Sequence, residues 1–201
     1  MRLYYSAPSP FAAKVRMAAS HCGIAIETVP VDTTAEPDEL LKANPLGKIP
    51  VLVMDDGATV YDSRVICALF DRMSGNQMVP QAIEPWRIAA TVEATADGIV
   101  DALILSVYEV RYRPEDKRHQ PWVDKQLRKA DRGLASLEEQ ILALPEDLTI
   151  GHFAVAALLG WATMRFPGKI EGERPQLAAW LQRFEQQFPA YADLKPSMPA
   201  S

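Results

Sequence analysis

A chain of 201 residues has room for one large domain or two small ones, and its 48% hydrophobic and 23% charged residues are the proportions of an ordinary globular protein. Its 21 basic and 26 acidic residues leave a net charge of −5, so no basic field favours nucleic acid or an anionic membrane. No run approaches the roughly 18 apolar residues of a membrane span, and the N-terminus lacks the charged-then-apolar pattern of a signal peptide, so the expected compartment is cytoplasmic.

Residues 2–6, with Leu3, Tyr4 and Tyr5, read as a strand that stops at a Ser-Ala-Pro-Ser-Pro turn. Phe11, Val15, Ala18 and Cys22 then recur at helical spacing, with Ser9 as N-cap, Pro10 at the first helical position and Gly23 at the end. A second strand over 24–31 and a helix over 37–43 follow. Asn44-Pro45-Leu46-Gly47-Lys48-Ile49-Pro50-Val51-Leu52 next runs a turn straight into a strand that begins with proline, which has no N–H to give a β ladder. A cis bond at Ile49-Pro50 would turn the Ile49 main chain outward, free to pair with an extended peptide. The strand over 51–54, the Asp56-Gly57 hairpin turn and a strand over 58–61 come after it. Asp62 caps a helix whose Val65, Ile66, Leu69, Phe70 and Met73 are expected to form its core face. The order β-α-β-α-β-β-α over residues 1–75 is an α/β domain with a mixed sheet, since a βαβ crossover is parallel and a hairpin antiparallel.

Residues 76–84 read as a linker, and residues 85–201 as an all-α helical bundle domain. Ile99, Val100, Leu103, Ile104 and Val107 stripe a long helix that Pro114 stops; Val123, Leu127, Ala130, Leu134, Leu137, Ile141 and Leu144 stripe a second. Thr149 caps a third, apolar nearly all round and therefore the buried centre of its bundle, with Trp161 in the core. Leu177, Leu181, Phe184 and Phe188 stripe a fourth, and the tail beyond Tyr191 reads as loose. Cys22 and Cys67 fit neither a Cys-x-x-Cys pair nor a Cys/His metal spacing, so two buried reduced thiols and no metal are expected.

A small β-α-β-α-β-β-α domain with Ile-Pro ahead of its third strand and Asp62-Ser63 opening its third helix, followed by a helical domain, resembles the cytosolic glutathione S-transferases over nearly the whole chain. The segments that carry the resemblance are Ser9-Pro10-Phe11-Ala12-Ala13-Lys14-Val15-Arg16, the Asn44 to Leu52 stretch and Tyr61-Asp62-Ser63. The first of these, with Ala96-Asp97-Gly98-Ile99-Val100-Asp101-Ala102, is similar to serine-type bacterial members. The resemblance implies a thioredoxin-like first domain that binds glutathione as co-substrate, and a helical domain that shapes the site for a small hydrophobic or electrophilic second substrate. It also implies a homodimer. The expected reaction is attack of the glutathione thiolate on an electrophile. The alternatives are a non-catalytic module of the same fold, or a glutathione-dependent peroxidase or thiol reductase.

Glutathione carries two carboxylates, an ammonium and a thiol. A helix start with Asp62 and Ser63 suits the γ-glutamyl end: N–H groups and hydroxyl for the carboxylate, Asp62 for the ammonium. Ile49 would hold the cysteinyl backbone, Lys48 would meet the glycyl carboxylate, and Phe11 and Pro50 complete the glutathione-binding set. Ser9, at the mouth of a helix, can donate its hydroxyl to the thiolate while the helix dipole lowers the thiol pKa. Tyr5 is the alternative, because tyrosine-type members place a tyrosine at the matching end of the first strand. Dithiol chemistry is disfavoured, since Ser9-Pro10-Phe11-Ala12 stands where glutaredoxin-like proteins carry Cys-Pro-x-Cys. Tyr108, Arg111 and Tyr112 either line an electrophile pocket, with Arg111 favouring an anionic acceptor, or are an exposed helix end. Asp97 and Asp101 share a helix face and either reach a partner subunit's glutathione or are solvated or capping groups. In Thr149-Ile150-Gly151-His152 the family's usual aspartate is replaced by His152, which either hydrogen-bonds the loop in a different way or caps poorly.

Overall fold

The computed structural model describes residues 1–198. The strand β1 (Arg2–Tyr5) leads into α1 (Pro10–His21), where Ser9 stays extended and its Oγ accepts the Ala12 N–H at 3.2 Å. Gly23, at a φ of 64°, lets the chain leave that helix in the left-handed region. Next, β2 (Glu27–Pro30) pairs parallel with β1, from Arg2 opposite Glu27 to Tyr5 opposite Pro30. It is shorter than the apolar run suggests because it extends only as far as β1 does, and Pro30 has no N–H to continue the ladder. After α2 (Asp38–Ala43) comes β3 (Val51–Val53), antiparallel to β1, and β4 (Thr59–Val60), antiparallel to β3. The result is a mixed sheet in the order β2-β1-β3-β4, the expected thioredoxin-like arrangement.

The helix α3 (Ser63–Met73) buries Ile66, Cys67 and Phe70, whereas Val65 and Met73 are 52% and 49% exposed, against the expected core face. Val65 lies about 100° around the helix from Ile66, and Met73 ends the helix. The segment after α3 is pinned by buried Asp71, whose Oδ1 accepts the N–H groups of Met78 at 2.6 Å and Val79 at 3.0 Å.

The helical domain comprises α4 (Ile83–Tyr112), α5 (Gln120–Gln140), α6 (Ile150–Arg165), α7 (Lys169–Glu173), α8 (Pro175–Gln187) and α9 (Tyr191–Leu194). Every residue of α6 from Ile150 to Leu159 is buried, and Trp161 with them, as the all-round apolar pattern predicts. The helix packs against both α4 and α1. Its approach to α4 is close: a Cβ at Gly151 would lie 2.9 Å from the Ala89 carbonyl oxygen and 3.3 Å from the Val92 Cβ. Gly151→Ala gains about 1 kcal/mol of helix propensity but forces two backbones apart, an overpacking that costs about 1–3 kcal/mol. Urea unfolding should therefore show a net loss of stability; a more stable variant would mean that α4 yields freely.

The expected loose tail is corrected as far as residue 198, the rest of it lying outside the described residues. Tyr191 is 1% exposed and opens the short α9, and the chain stays attached through Ser197, whose N–H donates to the Ala7 carbonyl at 3.1 Å. Tyr191 fills a place that the missing side chain of Gly160 leaves open.

Candidate active site

The turn ahead of β3 is built by Asn44, 2% exposed, whose Nδ2 donates to the Lys48 carbonyl at 2.9 Å and whose Oδ1 accepts the Leu46 N–H at 3.0 Å. Gly47, at φ 62°, completes it, and the Ile49–Pro50 bond is cis. Lys48 is left exposed and Ile49 half-buried; among the described residues the Ile49 main chain bonds to no other backbone group. Across the gap, Asp62 caps α3 by accepting the Arg64 N–H at 3.1 Å, with Ser63 buried at the first helical position. These two features and α1 enclose an open cleft of about 350 Å³ that brings Phe11, Lys48, Ile49, Pro50, Asp62 and Ser63 together.

Ser9 and Tyr5 stand outside that lining. Ser9 is half-buried at the mouth of α1, two residues before Phe11. The Tyr5 ring is covered by the Arg16 guanidinium, 5.3 Å from its centroid. Tyr108, Arg111 and Tyr112 are also outside, exposed at the far end of α4, with Tyr108 edge-on to Tyr112 at 5.3 Å and Arg111 over Tyr112 at 5.4 Å. Asp32, just past β2, has its carboxyl held below the usual range, first by the Thr34 hydroxyl and N–H and further by the Arg111 charge. Since the Val31 N–H bonds to the Tyr5 carbonyl at 2.8 Å, the Arg111 end of α4 stands near the ends of β1 and β2.

Asn44, Leu46 and Tyr61, which belong to the two motif stretches but carry no site role in the sequence reading, also line the cleft, as does Arg64, whose only signal in the sequence is that it directly follows Asp62-Ser63. Beneath them lies a charge cluster that the sequence gives no sign of. The Lys14 Nζ, 1% exposed, donates to Asp97 Oδ1 and Oδ2 at 2.9 and 2.8 Å and to Glu93 Oε1 at 2.9 Å, and Arg64 Nε donates to Asp97 Oδ2 at 2.8 Å. Burial pulls the ammonium pKa down, but the Asp97 and Glu93 charges overcome it and hold Lys14 above its ordinary value. Asp97 is thus an internal counter-ion, neither solvated nor a cap. Asp97 and Asp101, one turn on, both line the cleft, and partial burial followed by the Asp97 charge raises the Asp101 carboxyl.

Both cysteines are buried and unpaired, and burial pushes both thiols up, Cys67 the further. His152 settles the choice left open at Thr149. Its Nδ1 accepts the Thr149 N–H at 3.0 Å, which places the ring proton on Nε2, and the ring stacks on Trp180 at a centroid distance of 6.0 Å. It caps well, as a buried neutral imidazole.

Among the described residues no three His, Cys, Asp or Glu side chains come together as a metal site. Among the same described residues no helix is long and apolar enough to cross a membrane.

The family model for the glutathione S-transferase N-terminal domain matches residues 8–73, and that for the C-terminal domain matches residues 120–183. An uncharacterised GST-like protein of Escherichia coli (strain K12), YibF, is 31% identical over 170 residues, 82% of this chain and 83% of that protein. Among solved structures, a glutathione S-transferase of Methylobacterium radiotolerans in complex with glutathione sulfonate superposes with a TM-score of 0.91 at 31% identity, over 100% of this chain and 96% of that one. A glutathione transferase family member from Pseudomonas fluorescens Pf-5, with bound glutathione, gives 0.89 at 34% identity over 98% and 99% of the two chains. With matches of this extent running through both halves of the sequence, the chain belongs to the glutathione S-transferase family.

Proposed function

We propose that this protein is a glutathione transferase of the serine type, joining the glutathione thiolate to a small electrophile. The observation that carries the reading is the convergence of Lys48, Ile49, Asp62 and Ser63 on one cleft at the N-terminus of α3. Each answers a different group of the tripeptide: Asp62 the ammonium, Ser63 and the α3 N–H groups the γ-glutamyl carboxylate, Ile49 the cysteinyl main chain, Lys48 the glycyl carboxylate. Phe11 and Pro50 supply apolar contact. The glutathione and glutathione sulfonate held by the two solved relatives support the same ligand here.

Ser9 then stabilises the thiolate. Its oxygen already accepts the Ala12 N–H, and among the described residues its own O–H has no acceptor, so the proton is free for a sulfur anion. Tyr5 is less suited, because Arg16 covers its ring. Tyr108, Arg111 and Tyr112 belong to the acceptor side of the same reading. Thiol-disulfide chemistry finds no protein partner, since Cys22 and Cys67 are buried with raised pKa values. A homodimer is part of the proposal, in keeping with the exposed apolar Leu46 and Val65.

Calorimetric titration with reduced glutathione, paired with turnover of a panel of electrophiles, tests this. Wild type should bind in the micromolar to millimolar range. Ser9→Ala should lose about 10- to 100-fold in kcat, the worth of one hydrogen bond to a charged group, with Kd little changed. No heat of binding would overturn the proposal; binding without turnover would leave the non-catalytic module.

A further inference from the structure

We propose that the C-terminal segment over residues 195–198 is a strap that positions the Ser9 hydroxyl, so that the helical domain sets the geometry of thiol activation. This rests on the reading of Ser9 given above. The strap starts from a firm anchor: the Tyr191 hydroxyl donates to the Ala156 carbonyl at 3.2 Å, and its ring stands edge-on to Phe184 at 5.5 Å. Gly160 makes the passage, since a Cβ there would overlap the Tyr191 hydroxyl and come within 3.2 Å of the Pro196 Cδ. Pro196 is buried, and the next residue, Ser197, donates its N–H to the Ala7 carbonyl at 3.1 Å.

Ala7 is the middle of the short turn between β1 and α1. Within that turn the Ser9 N–H bonds to the Ser6 carbonyl at 3.0 Å. A second grip lies on its other side: Arg16 covers the Tyr5 ring and donates through its guanidinium to the Asp193 carbonyl at 3.0 Å. Residues 193–197 therefore hold the turn at two places, at Tyr5 through Arg16 and directly at Ala7, which is two residues past Tyr5 and two before Ser9. A hydrogen bond weakens steeply with angle, and a misplacement of about 1 Å can cost about 100-fold in rate. Of the glutathione-holding residues only Phe11 stands on α1; Lys48, Ile49, Pro50, Asp62 and Ser63 lie in the turn ahead of β3 and at the start of α3, outside the β1–α1 turn that the strap holds. Its loss should therefore act on the thiol and spare the affinity.

Two variants test this: Ser197→Pro, which deletes the donating N–H, and a truncation after Lys195. The readouts are the thiolate absorbance of enzyme-bound glutathione across pH, and Kd by calorimetry. Both variants should raise the apparent pKa of the bound thiol by about one unit, a roughly tenfold loss of thiolate at neutral pH, with Kd within about twofold of wild type. An unchanged bound-thiol pKa in both variants would overturn the strap. Ser9→Ala, titrated alongside, separates the two readings: a shift there with none in the strap variants removes the strap alone, whereas no shift in Ser9→Ala removes the thiol role of Ser9 and the strap with it.

Discussion

Lys14→Met should lower the free energy of unfolding by about 3–5 kcal/mol, because removing one member of a buried ion cluster leaves its partners charged and desolvated. Asp97 and Glu93 would then face each other inside the protein with only Arg64, half in solvent, to neutralise them. At this chain length the loss corresponds to a fall in Tm of about 10 °C. A charge-free replacement behaves differently: Lys14→Met combined with Asp97→Leu removes the repulsion as well as the attraction and should recover part of the loss, a non-additivity that urea denaturation of the three variants reads directly. A single-variant cost below about 1 kcal/mol would mean that water reaches the cluster and screens it. Because Lys14 stands on α1, Arg64 on α3 and both carboxylates on α4, the same variant should also loosen the floor of the cleft.

The second large effect is a pH dependence. Burial holds the His152 imidazole down at about 4, against an ordinary value of 6.5. Protonation of Nδ1 would break its bond from the Thr149 N–H. Above pH 6.5 the ring is neutral whether the chain is folded or not, and contributes no pH slope. Below that the unfolded chain takes up a proton that the folded one refuses, so stability falls as pH drops, by about 1.4 kcal/mol per unit, until the folded pKa is reached. The expected loss between pH 7 and pH 5 is about 2 kcal/mol. His152→Asn keeps an acceptor for the Thr149 N–H and cannot titrate, so the difference between wild type and this variant isolates the effect. An equal slope for both in urea unfolding would show that the ring is protonated in the folded state.

The order of elements was legible because each boundary carries a strong local signal: Ser9-Pro10, Gly23, Asp56-Gly57, Asp62, Pro114 and Thr149. The cleft was legible in part, since Asn44 to Leu52 and Tyr61 to Ser63 are short contiguous stretches. What escaped was long-range. Lys14 shares a buried face with Val15 and Ala18, where a lysine is tolerated only because Asp97 comes to meet it from 83 positions away. Hydropathy alone would send it to solvent. The attachment of residues 192–197 is illegible for a related reason: it rests on main-chain bonds that any residue can make, and on a glycine 31 positions before Tyr191. Periodicity in residues 195–198 could not report either. Val65 and Met73 show the converse: the apolar run predicts a core face, but the helix turns these two of its members outward.

The two cysteines have a chemical consequence of their own. Cys22 and Cys67 are shut inside and kept as neutral thiols. An alkylating or arylating agent that enters the cleft therefore meets no nucleophilic sulfur belonging to the protein. In the proposed reaction only the sulfur of bound glutathione would be consumed, and that one would leave with the product. The molecule is in this sense immune to the reagents it is proposed to handle, and it loses that immunity only when it opens.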